Sequence, residues 1–204
     1  MKVIEKIRVD KPITIDLKGI IDLDDDQLYD LCIRNKELRF ERTNQEELVI
    51  QLPVGSGGGA KENTLSFFIT AWNREKKSGI VFSPSTGFTL PNGAMRSPDV
   101  SFIRHERWKA LSKEDKKKFA HICPDFIAEL LSESDSIDHL KDKMIEWMDN
   151  GCRLAWLIDP IEEKAYIYRP DKETETIDTF DTVLSGENVL PDFELPLPEL
   201  NEDD

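Results

Sequence analysis

Apolar and polar residues alternate over positions 1–24, and this spacing predicts an extended segment at the start of the chain. An acidic run from Asp24 to Asp26 then precedes apolar residues at helical spacing. Because acidic side chains stabilise the positive end of a helix, we interpret this run as a helix start and not as a metal site. Two extended runs within residues 38–53 flank a turn-like sequence at residues 43–45, which predicts a β-hairpin.

Four glycines, at positions 55, 57, 58 and 59, follow the predicted hairpin. The phosphate-binding pattern G-x-x-x-x-G-K-[ST] is absent, because Ala60 and not a lysine follows Gly59. We therefore predict a flexible loop at these glycines. Residues 62–77 carry apolar side chains at helical spacing, which predicts an amphipathic helix that ends at Gly79.

Strand periodicity dominates from Ile80 to Arg104. Residues 123–132 contain a mostly apolar run with the length of a strand that is buried on both faces. The pattern over residues 132–151 predicts a helix that begins at Ser134 or Asp135 and ends at Gly151. Two more strands are predicted after it. Such a strand-helix-strand unit implies parallel neighbours joined by a right-handed crossover. The predicted fold class is α/β (α+β), a single domain with a mixed central sheet flanked by helices.

A formal net charge of −14 argues against a protein that coats nucleic acid through a broad basic face. It leaves open a local contact with phosphate through a metal ion. The three cysteines, Cys32, Cys123 and Cys152, lack any C-x-x-C spacing, so we predict reduced thiols without a disulfide framework or a zinc site. No window approaches the roughly 18 apolar residues of a membrane span, and the N-terminus lacks an apolar signal region. These features predict a cytoplasmic protein without a membrane partner.

Three charged residues, Asp99, Glu129 and Lys143, lie in elements that otherwise have the composition of buried structure. A buried carboxylate is costly unless it is paired or binds a cation. Two carboxylates on adjacent strands beside a lysine are typical of a magnesium-dependent phosphodiesterase site. The alternative is a structural ion pair between Glu129 and Lys143, with Asp99 as a turn former. Asp125, in a second Pro-Asp pair, is interpreted as a turn residue before the strand.

Four segments of the sequence together are similar to one known family; they are residues 84–108, 123–136, 143–160 and 165–170. The chain resembles the Uma-type "putative restriction endonuclease" family, which has a PD-(D/E)XK nuclease fold. The resemblance extends from about Leu38 to Phe193. It implies a restriction-endonuclease-like domain over residues 25–198, preceded by the extended segment 1–24 and followed by an acidic tail at 199–204.

The resemblance also implies which residues carry the chemistry. The family's Pro-Asp aspartate falls on Asp99, its strand glutamate on Glu129 and its helix lysine on Lys143. Its hairpin glutamate falls on Glu41, expected as a third acidic group near the metal. Asp99 and Glu129 would hold Mg²⁺ or Mn²⁺. The sequence departs from the general E-x-K pattern, because Leu131 stands where a lysine is usual.

The implied activity is metal-dependent hydrolysis of DNA phosphodiester bonds. The acidity predicts weak non-specific affinity for DNA, and a homodimer is suggested because nucleases that cut both strands are often dimers. The alternative that Leu131 favours is a catalytically inactive nuclease-fold protein with an interaction or structural role. A third hypothesis is hydrolysis of a small molecule that contains phosphate. Arg96 lies near Asp99 in the sequence, and we expect it to contact a phosphate group or to form a salt bridge.

Overall fold

The structure is a computed structural model that describes residues 11–201. The first ten positions of the predicted extended segment and the last three of the acidic tail lie outside the described residues. Over residues 11–201, no helix is long and apolar enough to cross a membrane.

Fourteen strands, four α-helices and one 3-10 helix make up the described part of the chain. The strands are β1 (Ile13–Asp16), β2 (Arg39–Arg42), β3 (Glu47–Gln51), β4 (Gly79–Phe82), β5 (Phe88–Thr89), β6 (Met95–Arg96), β7 (Val100–Arg104), β8 (Ala120–His121), β9 (Phe126–Leu130), β10 (Leu154–Asp159), β11 (Lys164–Tyr168), β12 (Glu175–Ile177), β13 (Val183–Ser185) and β14 (Glu194–Pro196). The helices are α1 (Asp25–Arg34), α2 (Ser56–Lys76), α3 (His105–Ala110) and α4 (Ile137–Asp149), and the 3-10 helix is Leu197–Leu200.

The strands form two six-stranded mixed sheets and one two-stranded sheet, which we call the C-terminal hairpin. The first sheet has the order β1-β3-β2-β6-β5-β8, the second the order β12-β11-β10-β9-β7-β4, and β13 pairs with β14. In the second sheet β9 and β10 run parallel, and α4 connects them. The predicted strand-helix-strand unit and the mixed α/β architecture are therefore confirmed.

Both faces of the second sheet are covered, which explains why β9 and β10 are apolar along most of their length. One face packs against α2 and the C-terminal hairpin around Phe126, Trp156 and Phe193. The other face packs against α4 through a cluster that includes Ile127 and Trp147. All residues of β9 are buried, including Glu129.

The acidic run begins a helix, as predicted. Asp24 is the N-cap of α1: its carboxylate accepts a hydrogen bond from the backbone of Gln27, whose side chain accepts one from the backbone of Asp24. This reciprocal pair satisfies two backbone N–H groups that the helix itself leaves unpaired. The β-hairpin is also confirmed, because β2 and β3 pair antiparallel on either side of residues 43–46.

The prediction of a flexible loop at the glycines is wrong. Gly55 is the N-cap of α2, and residues 56–59 form its first turn. Glycine lowers the stability of a helix by only about 1 kcal/mol per residue, which the tertiary packing of a 21-residue helix can outweigh. Close packing favours glycine at position 58, because an added Cβ would lie 2.6 Å from a methyl group of Val54.

The start of α4 also differs from the prediction. Ser136 is its N-cap, while Asp135 closes a turn by accepting hydrogen bonds from the backbone N–H and the hydroxyl of Ser132. The helix therefore begins slightly later than either predicted capping residue. Its buried face, with Leu140, Met144 and Trp147, is the one that the spacing predicts.

Candidate active site

Asp99 and Glu129 come together through strand register. In the antiparallel pair of β7 and β9, Val100 lies opposite Ala128, and the next position in the same register sets Asp99 opposite Glu129. Residues opposite each other project from the same face of a sheet. Asp99 is 8% exposed and Glu129 is 4% exposed. The fold therefore buries two carboxylates side by side.

Each of these carboxylates has one oxygen bonded to the protein. Asp99 Oδ2 accepts a hydrogen bond from the backbone N–H of Leu130 at 2.8 Å. Glu129 Oε1 accepts one from Trp147 Nε1 at 3.3 Å and lies 2.9 Å from Lys143 Nζ. Asp99 Oδ1 and Glu129 Oε2 accept no hydrogen bond from any residue of the described chain. Two carboxylate oxygens thus remain open, one on the residue directly before β7 and one on β9.

Lys143 reaches the strands from α4. Its side chain is buried, and its ammonium group lies 2.9 Å from a carboxylate oxygen of Glu129 and 2.9 Å from one of Glu41. The contact between Glu129 and Lys143 that the alternative of a structural ion pair requires is therefore present. Leu131, at the usual lysine position of the nuclease pattern, instead packs partly buried against the apolar cluster beneath α4. The lysine charge is therefore supplied by a helix rather than by the strand.

Glu41 lies on β2 and is surrounded by hydrogen-bond donors. Its Oε1 accepts from Lys143 Nζ and from the backbone N–H of Ser97 at 3.0 Å, and its Oε2 lies 3.1 Å from an Arg96 nitrogen. The structure brings Glu41 to the site through Lys143. Both of its carboxylate oxygens therefore accept hydrogen bonds, from two cationic side chains and one backbone N–H group.

Arg96 forms the salt bridges that were one of its two predicted roles. The guanidinium contacts Glu41 on β2 and Glu146 on α4, the latter at 2.6 Å, and the residue is 6% exposed. It therefore links the first sheet to the helix that carries Lys143. Sequence spacing gave no signal for Glu146, because this contact joins residues 50 positions apart.

The three buried carboxylates have different pKa values, because their surroundings differ. Burial raises the pKa of Asp99 to about 6, and the charge of Glu62 adds to this effect. Burial also raises the pKa of Glu129 to about 7, where repulsion by Asp99 opposes the attraction of Lys143. Burial acts in the same direction on Glu41, but the charges of Lys143 and Arg96 outweigh it and hold its pKa at about 2.

Lys143 is held in its charged form. Burial alone would lower the pKa of its ammonium group, but attraction by Glu129 and Glu41 outweighs burial and raises it. A lysine with a raised pKa does not serve as a proton acceptor at neutral pH. It can donate hydrogen bonds and stabilise negative charge.

Glu62, on α2, belongs to the same cleft and was missed by sequence reasoning. It is half-buried, and burial raises its pKa, with further contributions from Glu129 and Asp135. A signal was present, since Glu62 precedes Leu65 and Ile69 by three and seven positions and so shares their helix face. The incorrect loop prediction for residues 55–59 hid the true start of this helix.

The cleft that joins these groups has a volume of about 80 Å³. Its polar lining includes Arg39, Glu41, Glu62, Asp99, Glu129, His139 and Lys143. This volume suits a cation with a few waters rather than a whole nucleotide. Within residues 11–201, no three His, Cys, Asp or Glu side chains are grouped so that they could hold a metal ion together. Any cation here would keep water among its ligands.

Asp125 lies at the other end of β9 from Glu129. Its buried carboxylate accepts a hydrogen bond from the backbone N–H of Arg104 and forms ion pairs with Arg107 at 3.1 Å and Arg153 at 3.6 Å. Asp125 and Glu129 are four positions apart, which corresponds to about 13 Å of strand. The second Pro-Asp pair therefore serves the structure away from the cleft.

Comparison with known proteins adds two findings. The family described as "Uma2: Putative restriction endonuclease" matches residues 25–198. Among solved structures, the chain is similar to a crystal structure titled as a putative nuclease belonging to DUF820, from Anabaena variabilis ATCC 29413. That similarity has a TM-score of 0.66 and 23% sequence identity, and covers 79% of this chain and 88% of the other. A search of curated proteins gives no match.

Proposed function

Since this chain belongs to the Uma2 family of "putative restriction endonucleases", we propose that it is a metal-dependent endonuclease that hydrolyses phosphodiester bonds in DNA. Asp99 and Glu129 are the proposed metal ligands, and Lys143 is the proposed electrostatic group beside them. Glu41 supports Lys143.

The observation that carries this proposal is the pair of open oxygens, Asp99 Oδ1 and Glu129 Oε2, next to a buried ammonium group. Adjacent buried carboxylates are unfavourable, because their charged forms repel each other and lose hydration. Such groups are therefore concentrated at functional sites. Their raised pKa values have this origin. A bound cation would offset both costs.

The donor set fits Mg²⁺ or Mn²⁺. Both ions favour oxygen ligands, and Mg²⁺ in particular is usually bound by one or two carboxylates while it keeps several waters. The charges agree with this assignment. Six carboxylates (Glu41, Glu62, Asp99, Glu129, Asp135 and Glu146) share the cleft and its margin with four cationic residues (Arg39, Lys61, Arg96 and Lys143). With all of these groups ionised, the site has an excess of negative charge that a divalent cation would balance.

The chemistry divides between the ion and the chain. When bound, Mg²⁺ supplies Lewis acidity, which lowers the pKa of a coordinated water and polarises a phosphoryl oxygen. The ammonium of Lys143 donates hydrogen bonds and stabilises the negative charge that develops on the phosphate oxygens. It is not the general base, because attraction by Glu129 and Glu41 keeps it protonated.

The catalytically inactive alternative depends on Leu131, which occupies the usual lysine position. The contact of 2.9 Å between Lys143 and Glu129 weakens that alternative, because an ammonium group is present beside the strand glutamate. The net charge of −14 still disfavours tight binding to duplex DNA. We therefore expect a weakly binding enzyme whose activity falls as salt rises.

Nicking of supercoiled plasmid DNA at low salt, with Mg²⁺ or Mn²⁺ and with EDTA, tests the proposal. We expect nicking only with the metal, and none from Glu129→Gln at any metal concentration. Asp192→Asn is the matched control, because Asp192 is an exposed carboxylate paired with Lys76. Equal nicking by wild type and Glu129→Gln, or nicking that survives EDTA, would contradict the proposal.

A further inference from the structure

Glu41 differs from the other carboxylates of the cleft in how fully the protein occupies it. Both of its oxygens accept hydrogen bonds, from Lys143 and the backbone of Ser97 on one side and from Arg96 on the other. Asp99 and Glu129 each keep one oxygen open. Glu41 is thus the carboxylate of the cleft with the least remaining capacity to bind a cation.

The position of the Lys143 ammonium matters for the neighbouring oxygens. A lysine side chain is flexible and carries a compact charge that any nearby carboxylate attracts. In the structure, the ammonium bridges Glu41 and the Oε1 atom of Glu129. Without the attraction of Glu41, Asp99 and Glu129 would be the remaining carboxylates that draw it, and it would move toward their open oxygens.

We propose that Glu41 is a positioning residue, which holds Lys143 on one oxygen of Glu129 and so leaves the other oxygen and Asp99 free for the cation. This inference rests on the proposed function, because it assigns the open oxygens to a metal ion. It gives Glu41 a role distinct from that of a third metal ligand.

The contacts behind Glu41 make it suited to this role. Arg42 on β2 lies opposite Met95 on β6, so the next pair in register is Glu41 and Arg96. Arg96 and the backbone N–H of Ser97 fix the two carboxylate oxygens from the strand side. Arg96 also holds Glu146, which lies three positions after Lys143 on α4. The helix and the carboxylate that together position the ammonium therefore share one anchor.

Calorimetric titration of the full chain with Mn²⁺ tests the inference through a double-mutant cycle. We expect Glu41→Gln to raise the Kd for Mn²⁺ about tenfold, because the ammonium then competes with the ion. In a Lys143→Met background the same substitution should change the Kd by less than about twofold, since no ammonium is left to move. Equal fold-changes in the two backgrounds would overturn the proposal, because Glu41 would then act on the cation directly.

The control for charge and location is Glu47→Gln. Glu47 lies on β3 of the same hairpin, and its carboxylate accepts a hydrogen bond from the Thr43 hydroxyl. We expect it to retain the wild-type Kd. If Glu41→Gln does not fold, as judged by circular dichroism, Glu41→Asp serves in its place, because it keeps the charge and withdraws the carboxylate from Lys143.

A second measurement needs no metal. The ¹⁵N–¹H signal of the Lys143 ammonium, recorded in EDTA and assigned by its loss in Lys143→Met, reports the surroundings of Nζ. We expect Glu41→Gln to shift or broaden it and Glu47→Gln to leave it unchanged. An unchanged signal in Glu41→Gln overturns the positioning role. A moved signal in a protein that binds no Mn²⁺ supports the placement of the ammonium by Glu41 and contradicts the proposed function instead.

Discussion

Asp99 directly precedes β7 and, in the continued register of the antiparallel pair of β7 and β9, stands opposite Glu129, and both residues are buried. Each retains one oxygen that no described residue hydrogen-bonds. Burial raises the pKa of both, to about 6 and about 7. Ionisation of this pair at neutral pH therefore lowers the free energy of unfolding. We make four predictions about the pair and the charges around it.

Asp99→Asn should increase stability while it abolishes nicking. The amide is neutral at every pH, and its oxygen can still accept the hydrogen bond from Leu130. Burial raises the pKa of Asp99 from an ordinary value near 4 to about 6, and each pKa unit corresponds to about 1.4 kcal/mol, so we expect the free energy of unfolding at pH 8 to rise by about 3 kcal/mol. Urea unfolding in EDTA measures this change. Asp192→Asn, at an exposed position, should leave stability unchanged, and a destabilised Asp99→Asn would contradict the prediction.

Stability should fall as the pH rises from about 4 to about 7. In the unfolded chain both carboxyl groups titrate near pH 4. In the folded protein the pKa values of Asp99 and Glu129 are about 6 and about 7, so the folded state binds more protons between these limits. The free energy of unfolding therefore decreases with pH in this window.

The comparison that isolates this effect is between wild type and the double variant Asp99→Asn/Glu129→Gln. We expect the difference in unfolding free energy between the two proteins to grow from pH 5 to pH 8 in EDTA. Parallel pH profiles for the two proteins would contradict the assignment of the raised pKa values to this pair.

Affinity for Mn²⁺ should increase over the same pH range. Metal binding requires deprotonated carboxylates, so protons are released as the ion binds. We expect the Kd to fall by up to about tenfold per pH unit between pH 5.5 and pH 7, and to change little above pH 7.5. Calorimetry in two buffers of different ionisation enthalpy also counts the released protons. A Kd independent of pH would show that these carboxylates are not the ligands.

Arg96→Met should destabilise the protein more than Arg169→Met. Arg96 bridges Glu41 and Glu146 in a buried position, and its removal leaves buried negative charge without a partner, at a cost of about 3–5 kcal/mol. Arg169 also bridges two glutamates, Glu175 and Glu187, but these are about one-half and one-third exposed, at 48% and 32%. Solvent screens such pairs, so we expect a loss of only about 1 kcal/mol. Chemical unfolding compares the two variants, and equal losses would contradict the role given to burial.

Part of the candidate site could be predicted from the sequence. Buried elements that contain Asp99, Glu129 and Lys143 could be recognised, because apolar periodicity is a local property and a charge within it is conspicuous. The helix start at Asp24, the hairpin and the unit β9-α4-β10 could be recognised for the same reason. The glycines at 55–59 misled the prediction, because the helix that they begin is stabilised by residues farther along it, Leu65, Ile69 and Trp72, which pack in the core.

The sequence by itself determined the hairpin of β2 and β3, the unit β9-α4-β10 and the short set of ionisable residues placed within buried segments. Only the tertiary structure decided which oxygens are bonded, which charge Arg96 neutralises and that Glu62 faces the same cleft. Local periodicity depends on residues three to four apart, whereas Glu41 meets Lys143 across 102 positions. Strand register and helix packing fix such distances, and the strength of a buried charge interaction depends on those distances and on the exclusion of water.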